Sequence, residues 1–565
     1  MDTQTIYRRR WGILSVLVIS LLAIVLDNTI LNVGLKTIAE PHAGLGASQS
    51  QLEWAINSYT LVFAGLLFTF GVVGDRIGRK RMLMIGLVLF GLGSVLSAFS
   101  RSPEQLIFAR AAMGLGGAAV MPQTLSIISN VFEPQERAKA IGIWASAVGI
   151  GVAIGPVLGG VLLAHFWWGS IFLVNVPVTI IGAILVATLV PESRNPERVG
   201  IDYLGVLLSI AGLVLVVYGI VQGGDGDSWG SFAVLGPLFG GLAVLGLFAW
   251  HELRSSHPAL DVRLFRDRRL SASAGAIALV FFGMGGVYFF TSFYTQDVLG
   301  YSPVDAGLLT VPFAVGQLLA SPRSAALVRR YGAKLAGTGG MLVMAVALAG
   351  YVLLGTTSPV WLLGLLFFIQ GAGIGVAMPA ATSAVMDVLP REKAGAGSAL
   401  TNTSRQVGVA LGTAVLGSIL AQAYHTSLSP TLGQLPATAR GAAGSSIEAT
   451  QAVAARLGSA GHFLLGPAND AFVSAMHVTT LVAAAISLAG ALVVLRWMPG
   501  KPRLTEADPV DIVPVEAAPA EATLEPVPVL APVPALEATA AQGIDPIDAL
   551  DVWQENPSAR APRGE

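Results

Sequence analysis

Apolar runs of about 20 residues, each long enough to cross about 30 Å of hydrocarbon, recur along this chain. They lie near residues 12–33, 52–72, 82–100, 104–125, 140–163, 170–190, 203–222, 232–250, 271–294, 305–325, 335–354, 360–384, 396–422 and 472–495. The pattern predicts an all-α polytopic membrane protein with fourteen transmembrane helices. The first run is too long for a signal peptide, lacks a small-residue cleavage site and continues into further spans, so it reads as a retained helix. Charged stretches at 191–200 and 251–270 set off spans seven and eight, giving a 6+2+6 division. Residues 1–198 are predicted to form one six-helix bundle, and 199–268 two extra spans with a cytoplasmic loop. Residues 269–498 form the second bundle with an outer loop at 423–470, where a short helix is expected at Ser446–Leu457. The Pro-, Ala- and Glu-rich tail, 499–565, reads as a disordered cytoplasmic segment with no assigned role.

Basic residues orient the spans, because cytoplasmic loops are enriched in Lys and Arg. One set of loops carries 24 of them, among them Arg8–Arg10, Arg76, Arg79, Lys80 and Arg81; the other set carries only Lys36, Arg101, Arg440 and Arg456. The first set is predicted to face the cytoplasm, with both termini on that side, which an even number of spans satisfies. Composition agrees: 54% of residues are hydrophobic and 12% charged, where soluble domains carry about 25% charged residues. The absence of cysteine excludes disulfides, thiolate catalysis and Cys-based metal sites. No G-x-x-x-x-G-K-[ST] loop is present, so ATP is not the direct energy source. No metal cluster, nucleophile constellation or cofactor loop points to an enzyme.

Within this apolar frame a few segments break the local rules. Gly149–Gly160, GIGVAIGPVLGG, puts five glycines and a proline in span five, at about 1 kcal/mol lost per glycine and about 3 for an interior proline. A membrane tolerates this where neighbouring helices close in and re-satisfy the backbone. Gly149, Gly155, Pro156, Gly159 and Gly160 are therefore read as close-packing positions, expected to seat span five against span ten. Asp27 lies inside span one, where a carboxylate costs about 2.5–3.5 kcal/mol to insert and marks a functional site by default. Poised between burial and a nearby cation, such a group can bind and release a proton as its surroundings alternate; a structural aspartate capping a neighbouring helix is the competing reading. Arg110 in span four lies at matching depth, both about 9 Å below the outer boundary at 1.5 Å per residue. It is the expected partner, unless it bonds backbone carbonyls of glycine-rich neighbours instead.

Asn57 reaches a similar depth, and Arg405 and Gln406 sit near the middle of span thirteen, where a substrate role and a structural hydrogen bond stand about equal. Aromatics crowd span nine, with Phe289 among them, and their ring faces could hold a cation. Glu53, Asp297, Asp305 and Asp387 read as solvated, His477 as a packing residue, and Trp167, Trp168 and Trp229 as interfacial anchors.

The loop Gly71–Arg81, GVVGDRIGRKR, combines turn-forming Gly71 and Gly78 with Asp75 among the cations Arg76, Arg79, Lys80 and Arg81. An ion pair or a helix N-terminus is the natural partner of Asp75. The sequence SAALVRRYGAK after span ten echoes this loop. GVVGDRIGRKR resembles the G-x-x-x-D-R-x-G-R-[KR] signature of the major facilitator superfamily. Leu106–Ala118 resembles its fourth-span motif, with Arg110 as the arginine, and Gly149–Gly160 the fifth-span motif of exporting antiporters. Leu26–Val33 resembles the first-span L-D-x-T-[IV]-x-N-V pattern of fourteen-span drug:proton antiporters. Trp54–Tyr59, Phe172–Pro177 and Asn402–Gly412 agree further, so the resemblance spans roughly residues 10–498.

The resemblance implies a major facilitator fold in the bacterial cytoplasmic membrane. It implies a proton-coupled antiporter that exports amphipathic, cationic or zwitterionic drugs, dyes or antiseptics by alternating access. Asp27 and Arg110 would couple protons; Asn57, Tyr59, Phe289, Arg405 and Gln406 would line the substrate cavity. The expected partners are small molecules, protons and the bilayer, with no cofactor, metal or nucleic acid, and a monomer as the working unit. Relatives that handle cations often carry an acid in the W-x-x-[acid]-x-Y context, where this chain has Asn57; strongly dicationic substrates are correspondingly less expected. A dedicated exporter of one self-made antibiotic or metabolite would share every motif. A non-transporting scaffold or sensor is a third reading, which would not need Asp27 and Arg110 at matched depth.

Overall fold

In the computed structural model, residues 3–194, 202–224, 228–255, 258, 260–389 and 394–498 are described. The expectations for the tail and for most of the 191–200 linker fall outside them. Fourteen helices among the described residues are long and apolar enough to cross a membrane, at the positions the hydropathy predicts. The first six spans are α1 (Thr3–Ala39), α2 (Gln49–Ile77), α3 (Arg79–Ala98), α4 (Pro103–Val131), α5 (Pro134–His165) and the broken pair α6 (Ser170–Leu173) and α7 (Asn175–Leu189). Two further spans follow, α8 (Tyr203–Gly224) and α9 (Phe232–Arg254). The rest are α10 (Arg268–Phe293), α11 (Pro303–Leu308) leading into α12 (Val311–Tyr331), α13 (Ala333–Gly350), α14 (Val360–Val388), α15 (Ala394–Leu432) and, after the loop helices α16 (Ala437–Gly444) and α17 (Ile447–Leu457), α18 (Leu465–Trp497).

Local chemistry sets the helix ends. Ser48 caps α2, accepting from the Gln51 backbone while the Gln51 side chain accepts from the Ser48 N–H, a reciprocal arrangement that satisfies two orphan donors. Ser102 caps α4, with Pro103 and Glu104 in its first turn. Gly78 (φ +118°) and Gly332 (φ +86°) make the turns between α2 and α3 and between α12 and α13. Both conformations favour glycine, so the two echoing loops turn on the same device. Arg10 meets Glu136 at 2.7 Å, tying α1 to α5 at this basic face, and that bond holds the Glu136 carboxyl below its ordinary range.

The outer loop is more helical than its composition suggests. α15 runs unbroken to Leu432, so residues 423–432 extend the helix instead of opening a loop. The expected short helix is α17, with Ser446 as its cap, accepting from the Ala449 backbone. Trp167 and Trp229 are exposed as interfacial anchors should be, but Trp168 is buried edge-on against Phe172.

Helices α1–α7 pack on one another, as do α10–α15 and α18, and the atomic contacts between the two groups gather at the face opposite the basic loops. There Gly160 of α5 lies against the Pro303 and Val304 backbone, and Gly307 of α11 against the Pro156 carbonyl. Gln49 donates to the Gly417 carbonyl at 3.0 Å. Glu53, expected to be solvated, is buried beside Gly417. The α8–α9 pair leans on both groups: Ile210 fills the space at Gly65 of α2, and Ser418 of α15 donates to the Ile220 carbonyl at 2.7 Å.

Candidate functional site

Asp27 and Arg110 are both 1% exposed and meet at 2.5 Å in the heart of the first bundle. The matched depth inferred from sequence is therefore a contact. Asn175, at the start of α7, donates to the other Asp27 oxygen at 3.2 Å. The Arg110 Nε donates to the Ala55 carbonyl at 3.2 Å, so the competing backbone role coexists with the ion pair. The guanidinium lies 4.4 Å from the Tyr59 ring centroid and 5.8 Å from that of Phe172. Asn28 in turn donates to the Tyr59 hydroxyl at 3.2 Å. A buried ion pair holds only where further hydrogen bonds satisfy its remaining atoms. Asn175 and Ala55 supply them from α7 and α2.

This cluster forms part of the wall of a central cavity of about 130 Å³. Arg110, Asn28, Asn32, Arg405, Gln406 and Tyr288 are among its polar-tipped lining residues, and none of the lining residues is acidic. Arg405 and Gln406 thus face the cavity. Tyr59, Asn57 and Phe289 do not line it. Tyr59 is fully buried beneath the Arg110 guanidinium, and Phe289 packs edge-on with Phe293. Asn57 is fully buried, with neither amide atom hydrogen-bonded among the described residues. Of the span-nine aromatics, Phe281 and Tyr288 are the ones that face the cavity. The Arg405 guanidinium lies 5.7 Å from the Phe281 centroid, and no ion pair among the described residues engages it.

The basic-face motif is a clasp. Arg79 pairs with Asp75 at 2.7 Å and reaches the Ser126 carbonyl at 3.4 Å, tying the α2–α3 turn to α4. Gly71 sits against Pro122, and a side chain at Gly74 would overlap Gln123. Arg76 is exposed. The fifth-span glycines divide between two neighbours. Gly155 and Gly159 face Thr29 and Ile30 of α1, Gly160 and Pro156 face α11, and Gly149 faces open space. Only part of the segment therefore meets the second bundle, because residues four apart share one helix face and the intervening ones point elsewhere.

The model of the Major Facilitator Superfamily matches residues 17–413. The chain belongs to the major facilitator superfamily. Like this facilitator is the Multidrug efflux pump LfrA of Mycolicibacterium smegmatis, 37% identical over 86% of this chain and 96% of that protein. So is the Methyl viologen resistance protein SmvA of Salmonella typhimurium, 32% identical over 86% and 97%. Among solved structures, a bacterial homologue of the human lysosomal transporter Spinster shares the fold, with a TM-score of 0.60 at 19% identity over 87% of this chain and 98% of that one. The facilitator is a multi-pass transporter of a bacterial cytoplasmic membrane.

Three features of this facilitator escape a reading of its sequence alone. Asn175 is an amide inside an apolar segment, a signal that was available but had no partner assigned. The Ala55 carbonyl carries no signal in the sequence. Asp297, expected at an exposed loop, is buried, its side chain 1% exposed and 3.2 Å from Lys36 of α1. Asp305 and Asp387 are exposed, as read, and His477 bonds the Leu354 carbonyl at 2.7 Å.

Proposed function

We propose that this facilitator is a proton-coupled exporter of amphipathic small molecules, working by alternating access. The observation that carries the reading is the buried Asp27–Arg110 pair, whose arginine is set in the wall of the central cavity. Protonating Asp27 removes the charge that Arg110 holds, leaving the guanidinium to Ala55 and the cavity. Release of the proton restores the pair. Each state of the pair suits a different packing of α1 against α4, which links the proton to conformation. The basic face is taken as cytoplasmic, by the charge bias of its loops. Cargo enters from that side and protons from the other, and one chain suffices, since both bundles and the cavity lie within it. No cofactor is needed beyond the proton gradient.

Names of the relatives support the cargo class: a multidrug efflux pump and a methyl viologen resistance protein. The cavity lacks acidic lining residues, so a cationic substrate would be held by the ring faces of Phe281 and Tyr288 and by amide oxygens. The test is dye efflux in inverted vesicles carrying wild type or Asp27→Asn at equal expression. Asp27→Asn should reduce proton-driven efflux to the passive leak. A wild-type rate in that variant removes Asp27 from the proton path. A growth panel of chemically varied toxic compounds then separates a multidrug pump from an exporter dedicated to one chemotype.

A further inference from the structure

Lys36 and Asp297 form the one ion pair among the described residues that joins the two bundles. Lys36 sits in the last turn of α1, the helix that also carries Asp27. Asp297 sits in a five-residue π-helical turn, Tyr294–Val298, at the end of α10. Such turns are rare and concentrate where function needs an irregular backbone. Here the turn presents two consecutive residues to α1. The Lys36 ammonium donates to the Gln296 carbonyl at 2.9 Å and meets the Asp297 carboxylate at 3.2 Å. The Gln296 side chain donates to the Val33 carbonyl at 3.0 Å and to the Ser292 hydroxyl at 2.8 Å. From the outer-loop helix α17, Gln451 reaches the Asp297 carbonyl at 3.4 Å.

The charge balance of this spot is lopsided. Apart from Lys36, no described residue is recorded as a donor to the Asp297 carboxylate oxygens, and Glu40 and Glu448 lie within electrostatic reach of it. Lys36 is the cation that compensates the cluster, and it comes from the other bundle. A buried carboxylate left without its counter-ion is strongly unfavourable. Asp297 therefore stays buried only while α1 stays against α10, and the closed face and the ion pair stand or fall together.

We propose that Lys36 and Asp297 are the charge latch of the gate at the face opposite the basic loops, and that Asp297 is a positioning residue of the transport cycle. The pair holds the bundles together there while the cavity is closed to that side, and its separation accompanies opening. The inference rests on alternating access between the bundles and not on the cargo.

The chain has no cysteine, so a single Asn32→Cys in the cavity lining gives a clean reporter. Its labelling by a membrane-impermeant maleimide added at the opposite face is timed in right-side-out vesicles. Asp297→Asn and Lys36→Gln should each speed labelling about tenfold, the scale of a typical coupling between two conformations. Asp297→Glu, which keeps the charge, and the reversed pair Lys36→Glu with Asp297→Lys should both return it toward the parent rate. Labelling at the parent rate in both neutral variants overturns the latch. So does a reversed pair that labels as fast as the single variants, since that assigns these residues a merely structural role. Because labelling needs no cargo, a failure of the latch is distinguishable from a failure of the efflux reading.

Discussion

At the scale of single residues, the informative contrast is between Arg110 and Arg405, two guanidiniums at the wall of one cavity. Arg110 is matched by a carboxylate, a backbone carbonyl and an aromatic face. Arg405 has only the Phe281 ring as a described partner. Truncating them should therefore do different things. Arg110→Ala strands Asp27 with Asn175 as its remaining donor, at a cost of about 3–5 kcal/mol for a broken buried pair. It should lower the thermal midpoint and abolish efflux, while Arg110→Lys keeps the charge and part of the rate. Equal efflux from all three proteins would reduce Arg110 to a packing residue. Arg405→Gln leaves no buried charge unpaired, so stability should hold while the apparent KM for cargo changes and the pH dependence of efflux does not. A changed pH profile with an unchanged KM would move Arg405 from recognition to proton coupling.

At the scale of elements, α5 shows what could be read from the chain and what could not. Its glycines and proline announced close packing, and its place as the fifth span followed from hydropathy alone, since each run is long and strongly apolar. The neighbour of each glycine was hidden, because that depends on the rotation of α5 relative to two other helices. Only the structure assigns Gly155 and Gly159 to α1 and Gly160 to α11. Asp297 was misread for a related reason: its burial comes from a helix some 260 residues earlier in the chain, and no local pattern encodes that. Asp27 and Arg110 were legible because a charge in an apolar span is conspicuous and depth can be counted along both helices. The α5 assignment separates three substitutions. Gly149→Leu should be tolerated, as a Cβ placed there meets no described atom within 4 Å beyond its own helix backbone. Gly155→Leu would overlap Thr29, and overpacking of this kind costs about 1–3 kcal/mol; it should lower the thermal midpoint and slow efflux. Gly160→Leu would overlap the Pro303 carbonyl and so wedge the gate between the bundles, leaving the first bundle intact. In the Asn32→Cys background it should speed labelling by an impermeant maleimide from the opposite face, with little loss of stability. Identical behaviour of the Gly155 and Gly160 variants would contradict the two-faced reading of α5.

At the scale of the molecule, the polar and close backbone contacts between bundles lie on one side of the cavity, and this marks which side is shut. Gly160 on Pro303, Gln49 on Gly417 and Lys36 on Asp297 all belong to the face opposite the basic loops. The α8–α9 pair adds a wall along the seam between α2 and α15, through Leu61, Val217, Val221, Ala410 and Ala414. That seam is a small apolar core shared by both bundles and the extra pair, so α8 must slide or bend when the bundles rock. Small contacts suit such a surface: Gly65 and Gly224 admit Ile210 and Ser418 without a side chain of their own. Combined with the charge bias of the loops, the resting protein should be closed to the outside and reachable from the cytoplasm. A Gln406→Cys reporter in the cavity tests this directly. In inverted vesicles an impermeant maleimide should label it rapidly, and in right-side-out vesicles slowly. The opposite ratio would mean that the basic face is not cytoplasmic, and equal rates would mean that the gate does not seal. Filling the seam with Gly65→Leu, against Ile210, should then slow the exchange between the two accessible states without altering which one predominates at rest, because the wall touches both bundles while the latch lies elsewhere.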